Sequence, residues 1–147
     1  MIFITYFIKE DGLILWLLDR LQDILLITIG SVLGANTRFI IYKQLEKKKL
    51  NKNYIILVIN VFSSFFLGLF LSVLSQISSL RYSYQLGLFF SIGLLGSLST
   101  FSTFIYDVYD LFKKVKFYRA FKLFAISLTL GILSFAFGFL LGMNKWV

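Results

Sequence analysis

Residues 93–104 read GLLGSLSTFSTF, and this stretch decides what kind of chain surrounds it. It lies inside a long apolar run, yet it holds Gly93 and Gly96, then a series of Ser and Thr hydroxyls. Phe101 and Phe104 stand three apart within that series. Glycine weakens a helix, and Ser and Thr side chains compete for its backbone groups. Irregular backbone at membrane depth persists only where protein buries it or water reaches it. The pattern therefore predicts a membrane helix interrupted around Gly96 to Ser99, with freed carbonyls of the kind that coordinate cations in other broken helices. Beyond the interruption the hydroxyls offer donors. The phenylalanines offer ring edges, which are electropositive because the ring quadrupole is negative on its faces.

The rest of the chain fits a membrane setting. Of 147 residues, 59% are hydrophobic and 15% charged, against about 45–50% and about 25% in soluble domains; the mean hydropathy is +0.85. Cysteine, histidine and proline are absent, which excludes disulfides, thiol nucleophiles, the usual zinc sites and imidazole chemistry. None of the seven acidic residues sits in the middle of an apolar run, leaving little for paired-carboxylate catalysis. No phosphate-cradling loop or dinucleotide fingerprint occurs. These exclusions point away from an enzyme. The net charge of +8 is read as juxtamembrane lysine rather than a nucleic-acid surface, because the positive residues cluster between apolar runs.

A hydrocarbon layer about 30 Å thick needs roughly 20 apolar residues of helix. Four segments qualify, at about residues 24–42, 54–77, 84–106 and 121–143. The expected domain plan is an N-terminal extension over 1–23, read as an interfacial helix, followed by a four-span unit over 24–147. The fold class is all-α, with the third span broken.

Charge is unequal between the connecting segments. The first carries Lys43, Lys47, Lys48, Lys49 and Lys52, and the third carries Lys113, Lys114, Lys116, Arg119 and Lys122. Four spans put both on one side of the bilayer. The other side has Lys9, Arg20, Arg81 and Lys145. By the positive-inside rule the lysine-rich loops are cytoplasmic and both termini lie outside. Small residues also recur at four-residue spacing, as in Gly30 and Gly34, Ser64, Gly68 and Ser72, or Ser134, Gly138 and Gly142. Such stripes let helices approach closely in lipid.

Polar groups within spans are expensive unless paired or wet. Asn36, Thr37 and Arg38 fall late in the first span, Asn60 in the second, and Ser127 and Thr129 in the fourth. Arg38 is read equally as an interfacial anchor and as a functional charge. Asn60, flanked by aliphatic and aromatic residues, either makes an interhelical hydrogen bond or presents its N–H donors to a pore. An amide donor, hydroxyl donors and ring edges together suit a small anion.

Three motifs then carry a family resemblance over about Leu26 to Gly142. GSVLGANTRF (30–39), VINVFSSFFLG (58–68) and GLLGSLSTFSTF (93–104) resemble, in order, the first-, second- and third-span patterns of the Fluc, or CrcB, family of fluoride channels. The resemblance implies an antiparallel dimer with two fluoride pores. It implies pore roles for Asn60, Phe101, Ser102, Thr103 and Phe104, with Gly96 and Ser99 lending carbonyls to a structural, non-transported sodium at the dimer centre. Asp107 falls where the family often carries Glu. The family's fourth-span pore tyrosine finds no counterpart here.

On this reading the chain passively exports fluoride across a bacterial plasma membrane, relieving its toxicity. Because ten positive residues face four, a fixed orientation and an inverted paralogue as partner are favoured over an identical copy. The alternatives are a non-conducting subunit of a two-chain channel and a small multidrug exporter. The exporter needs a membrane-embedded carboxylate that the first span lacks.

Overall fold

The structure, a computed structural model, describes residues 2–77 and 82–143. Arg81 and Lys145, which entered the charge comparison, lie outside the described residues. The backbone is helical nearly throughout. Helix α1 spans Ile2–Lys47 and α2 spans Lys52–Gln76. A third helical run starts with α3, Ser83–Leu86, continues as a π-helical segment over Gly87–Leu95, and ends its first part in α4, Gly96–Leu98. Helix α5 covers Phe101–Lys113 and α6 covers Phe117–Met143. Four helical stretches are long and apolar enough to cross a membrane, and their described windows are Trp16–Lys47, Lys52–Gln76, Ser83–Lys113 and Phe117–Met143.

Each stretch runs past its apolar window. Helix α1 passes without a break through Asp23 and Ile24, where the extension meets the first span, and it ends only at Lys47. Lys43, Lys47, Lys52, Lys113, Arg119 and Lys122 consequently stand on helix ends rather than in loops. The linkers are short. At the end of α5, Val115 takes a left-handed φ of 55°. Its N–H donates to the Phe112 carbonyl at 2.9 Å, while Lys116 donates to Leu111 at 3.0 Å. Those two bonds satisfy carbonyls that the helix end leaves open and turn the chain into α6.

Two close helix seams build the bundle. Along the first, α1 meets the π-helical segment, and along the second, α2 meets α6. The small-residue stripes lie in these seams. A β-carbon added at Gly34 would fall on the Leu94 carbonyl and the Ser97 hydroxyl, and one added at Gly138 would fall on the Phe65 carbonyl. Side-chain bonds reinforce both contacts. Ser97 Oγ donates to Ser31 O at 2.9 Å, Ser134 Oγ to Val61 O at 2.8 Å, and Gln76 Nε2 to Gly142 O at 3.1 Å.

Large apolar side chains cover much of the outer surface, although Ile55, Ile56 and Ile59 are buried alongside the small residues. Ser72 and Ala120 are wholly buried, whereas Leu25 and Leu133 are each 60% exposed. Lipid tails are as apolar as leucine, so packing rather than hydrophobic sequestration holds such helices together, and small residues belong inside. The chain is a multi-pass membrane protein.

Candidate functional site

The site is built where the third helical run is interrupted. Ser99 has φ −68° and ψ 156°, and Thr100 has φ −137° and ψ 112°, both extended, between α4 and α5. Extended residues cannot continue an i to i+4 ladder, so backbone groups here need other partners. Asn60, on α2, supplies them. The Thr100 N–H donates to Asn60 Oδ1 at 2.8 Å, and Asn60 Nδ2 donates to the Thr100 carbonyl at 3.2 Å. A single amide thus satisfies both backbone groups of Thr100, which is only 7% exposed. Asn60 therefore makes an interhelical bond, and one Nδ2 hydrogen has no acceptor among the described residues.

Capture of the Thr100 N–H also withdraws the natural helical donor from the Gly96 carbonyl. That carbonyl instead accepts from Ser99 Oγ at 3.1 Å. The Ser99 carbonyl accepts from Arg38 Nη1 at 3.2 Å. Arg38 therefore reaches inward, across 61 residues of sequence, and ties α1 to the interruption rather than only snorkelling to the interface. Each of these two carbonyls keeps one lone pair. Gly96 is exposed and Ser99 half-buried, so both stand near an open face of the chain. Hard oxygens with spare lone pairs fit a small hard cation, but one chain offers two where such ions take about six.

Past the interruption, the first turns of α5 present the remaining sequence-predicted residues. Phe101 is 74% exposed. Its ring centroid lies 6.3 Å from that of Phe104, which in turn stacks on Phe124 of α6 at 6.1 Å. Ser102 is exposed, and Thr103 is half-buried. Thr100 Oγ1 donates to Thr103 Oγ1 at 3.0 Å, which leaves the Thr103 hydrogen available to another acceptor. The structure thus brings Asn60, Gly96, Ser99, Arg38, Thr103 and the two phenylalanines to one region.

Some polar residues do not join it. Asn36 and Thr37 bond carbonyls of their own helix, at Val32 and Leu33. Ser127 stands one turn beyond Phe124 on α6, and its Oγ is buried with no partner among the described residues. Two further residues matter that local sequence did not single out as a pair. Lys52 Nζ lies 3.1 Å from Asp107 Oδ1, and the Asp107 side chain is 8% exposed. A carboxylate near the end of an apolar helix needs a cation, and the lysine opening the preceding span was the available signal. By contrast, Lys114 and Asp110 pair at 2.6 Å on an exposed helix surface. The hydrogen bond from Lys114 to that carboxylate raises the lysine's pKa above its ordinary value, but screened surface pairs add little stability.

Comparison with known proteins places these features. The family described as CrcB-like protein, Camphor Resistance (CrcB), matches residues 25–139. A protein of Prochlorococcus marinus (strain NATL2A), described as fluoride-specific ion channel FluC 2, is 55% identical over 122 residues. The match covers 83% of this chain and 98% of that protein. The whole interrupted helix, Asn60 and the Lys52–Asp107 pair fall inside the family match.

Proposed function

The chain belongs to the CrcB family of fluoride-specific ion channels, and from that premise we propose that it carries fluoride passively out of a bacterial cytoplasm, detoxifying it. The family is one of channels, not of enzymes. The observation that supports the reading best is the reciprocal Asn60–Thr100 pairing. It holds Thr100 in an extended conformation at the start of α5, whose first turns carry the hydroxyls of Ser102 and Thr103 and the rings of Phe101 and Phe104. Fluoride keeps its hydration shell strongly, so a selective path must replace water with donors at every step. The free Nδ2 hydrogen of Asn60, the hydroxyls of Ser102 and Thr103, and the edges of Phe101 and Phe104 are assigned that work. No ATP or coupled ion enters.

Phe101 and Ser102 are exposed on the single chain. A pore wall that is open on one side calls for a second subunit, which we place in inverted orientation. The carbonyls of Gly96 and Ser99 would then meet their counterparts and hold a structural sodium between them. When bound, that ion supplies a fixed positive charge joining the two interrupted helices.

The charge distribution supports a fixed orientation, with lysine-rich helix ends in the cytoplasm, both termini outside and an inverted paralogue as partner. A second reading follows from the same bias: this chain could be the subunit that completes a two-chain channel without conducting. A multidrug exporter is the weaker alternative, because Asp107 is tied to Lys52 rather than standing alone at mid-membrane.

Expression in a bacterium made fluoride-sensitive by loss of its own channel tests these readings together. The expected result is strong rescue when the chain is co-expressed with an inverted paralogue, weak rescue alone, and terminal tags reporting a single orientation. Both orientations in equal amounts would overturn the fixed-orientation reading. No rescue under either condition would overturn fluoride export.

A further inference from the structure

The contacts between α2 and α6 advance together along both helices, from Ser134 on Val61 to Gln76 on Gly142. The two helices therefore run parallel, and both start at the lysine-rich end of the bundle, at Lys52 and Phe117. Small residues close the far part of this seam, where a β-carbon added at Gly68 would fall on the Phe135 carbonyl. Toward the starting ends, two hollows open between the same helices. One, of about 560 Å³, has Lys52, Arg119 and Lys122 in its lining beside Leu57, Leu123 and Ile126. The other, of about 550 Å³, is largely apolar and follows Val58, Phe62 and Phe66. Both hollows include Tyr54 and Leu57, so they join into one groove, cationic at its mouth and apolar below. This groove is on the outer side of α2: Phe62 is 49% and Phe66 38% exposed, whereas Ile55, Ile56 and Ile59 are buried toward the bundle. None of the residues gathered around Asn60 and Thr100 lines it.

The charges at the mouth are unbalanced. Lys52 is neutralised by Asp107. Arg119 and Lys122 have no ion-pair, hydrogen-bond or ring partner among the described residues, and no carboxylate lines the hollow. On α6 these two residues share one face with Leu123 and Ile126, because positions three, four and seven apart fall together on a helix. Both cations are exposed, and their long stems let the charged heads stay at the interface while the aliphatic wall continues below. Tyr54 stands where the two hollows meet, and tyrosines collect at the membrane interface. From Tyr54 to Phe66 the groove descends about 18 Å at about 1.5 Å per residue, close to one leaflet of a hydrocarbon layer about 30 Å thick.

We propose that this groove seats an anionic phospholipid, with its headgroup phosphate at Arg119 and Lys122 and an acyl chain along Val58, Phe62 and Phe66. A zwitterionic lipid fills the apolar part equally well, but only a net negative headgroup compensates the two unpaired cations. Recognition here works by charge and depth and needs no preset donor geometry. Each basic residue near the surface strengthens such binding by about fivefold. A seated lipid bridges α2 and α6 at the end where small residues no longer close the seam, and a ligand bound only by the folded bundle stabilises it. The site requires the membrane fold alone and stands whether or not the chain conducts.

The test is native mass spectrometry of the purified full-length protein from micelles carrying phosphatidylglycerol or phosphatidylcholine, with thermal unfolding in the same mixtures. Wild type is expected to retain phosphatidylglycerol in preference to phosphatidylcholine and to melt higher in its presence. R119Q and K122Q should each weaken phosphatidylglycerol retention about fivefold. K47Q and K48Q remove charge from the same end of the bundle but outside the groove, and should stay near wild type. V58W fills the apolar part and should weaken retention of both lipids without any change of charge. Equal retention of the two lipids by wild type, the same loss in K47Q and K48Q as in R119Q and K122Q, or unchanged retention in V58W overturns the proposal. So does a melting shift from inorganic phosphate as large as that from phosphatidylglycerol, which marks a free-phosphate site. A dimer that retains no lipid also overturns it, since the groove is then a contact between subunits.

Discussion

Asn60→Ala should abolish fluoride passage and lower the thermal stability of the purified protein together. The substitution removes the acceptor of the Thr100 N–H and the donor to the Thr100 carbonyl in one step. Both backbone groups are then left inside the bundle at a residue 7% exposed, and each unsatisfied group costs about 1–3 kcal/mol. The chain's cheapest response is to re-form a continuous helix, returning the Thr100 N–H to the Gly96 carbonyl. That response would shift α5 against α2 and displace the donors at its start. Asn60→Asp separates the two effects. Its carboxylate still accepts from the Thr100 N–H but donates nothing and repels an anion. It should retain more stability than alanine and still pass no fluoride. Liposome flux and thermal unfolding check both variants, and normal flux in Asn60→Ala would remove Asn60 from the account.

Phe101→Ile and Phe104→Ile should each reduce fluoride flux by about two- to tenfold, the loss expected if a ring-edge contact worth about 0.5–1.5 kcal/mol disappears from the path. Isoleucine keeps the apolar bulk and removes the quadrupole. The two variants should differ in stability. Phe101 is largely exposed in the single chain, so its replacement should leave the melting temperature nearly unchanged. Phe104 also stacks on Phe124, so its loss should lower it by a few degrees, as about 1 kcal/mol does in a domain of this size. Normal flux in both variants would contradict the pore assignment.

The four spans were legible because each is a run of apolar residues of membrane length, and apolarity is a property of the segment itself. The helix seams were legible in part: glycines at four-residue spacing mark a close approach, but nothing local says that Gly34 meets Leu94 or that Gly138 meets Phe65. The π-helical turns over Gly87–Leu95 were not legible. Whether a backbone N–H bonds five residues back instead of four depends on the helix packed against it, here α1 at Gly30. The continuous run of α1 through Asp23 is not legible for a related reason, since a change in polarity marks a membrane boundary and not a helix end. Asn60 stood out in sequence as an amide without a local partner. Its partner, the Thr100 backbone, lies 40 residues away and carries no side-chain signal. Lys52 and Asp107 were each visible as charges, but their pairing spans 55 residues and depends on how α2 and α5 meet.

On the proposed function, this chain contributes a fluoride-conducting pore. Fluoride efflux from liposomes, followed with a fluoride electrode against a parallel chloride measurement, tests it most directly. The protein is reconstituted alone and with an inverted relative. The expected result is rapid fluoride efflux with the relative present, little chloride efflux under the same gradient, and loss of the fluoride signal when Asn60→Ala is introduced into this chain only. Chloride and fluoride leaving equally, or fluoride leaving undiminished through the Asn60→Ala protein, would contradict it.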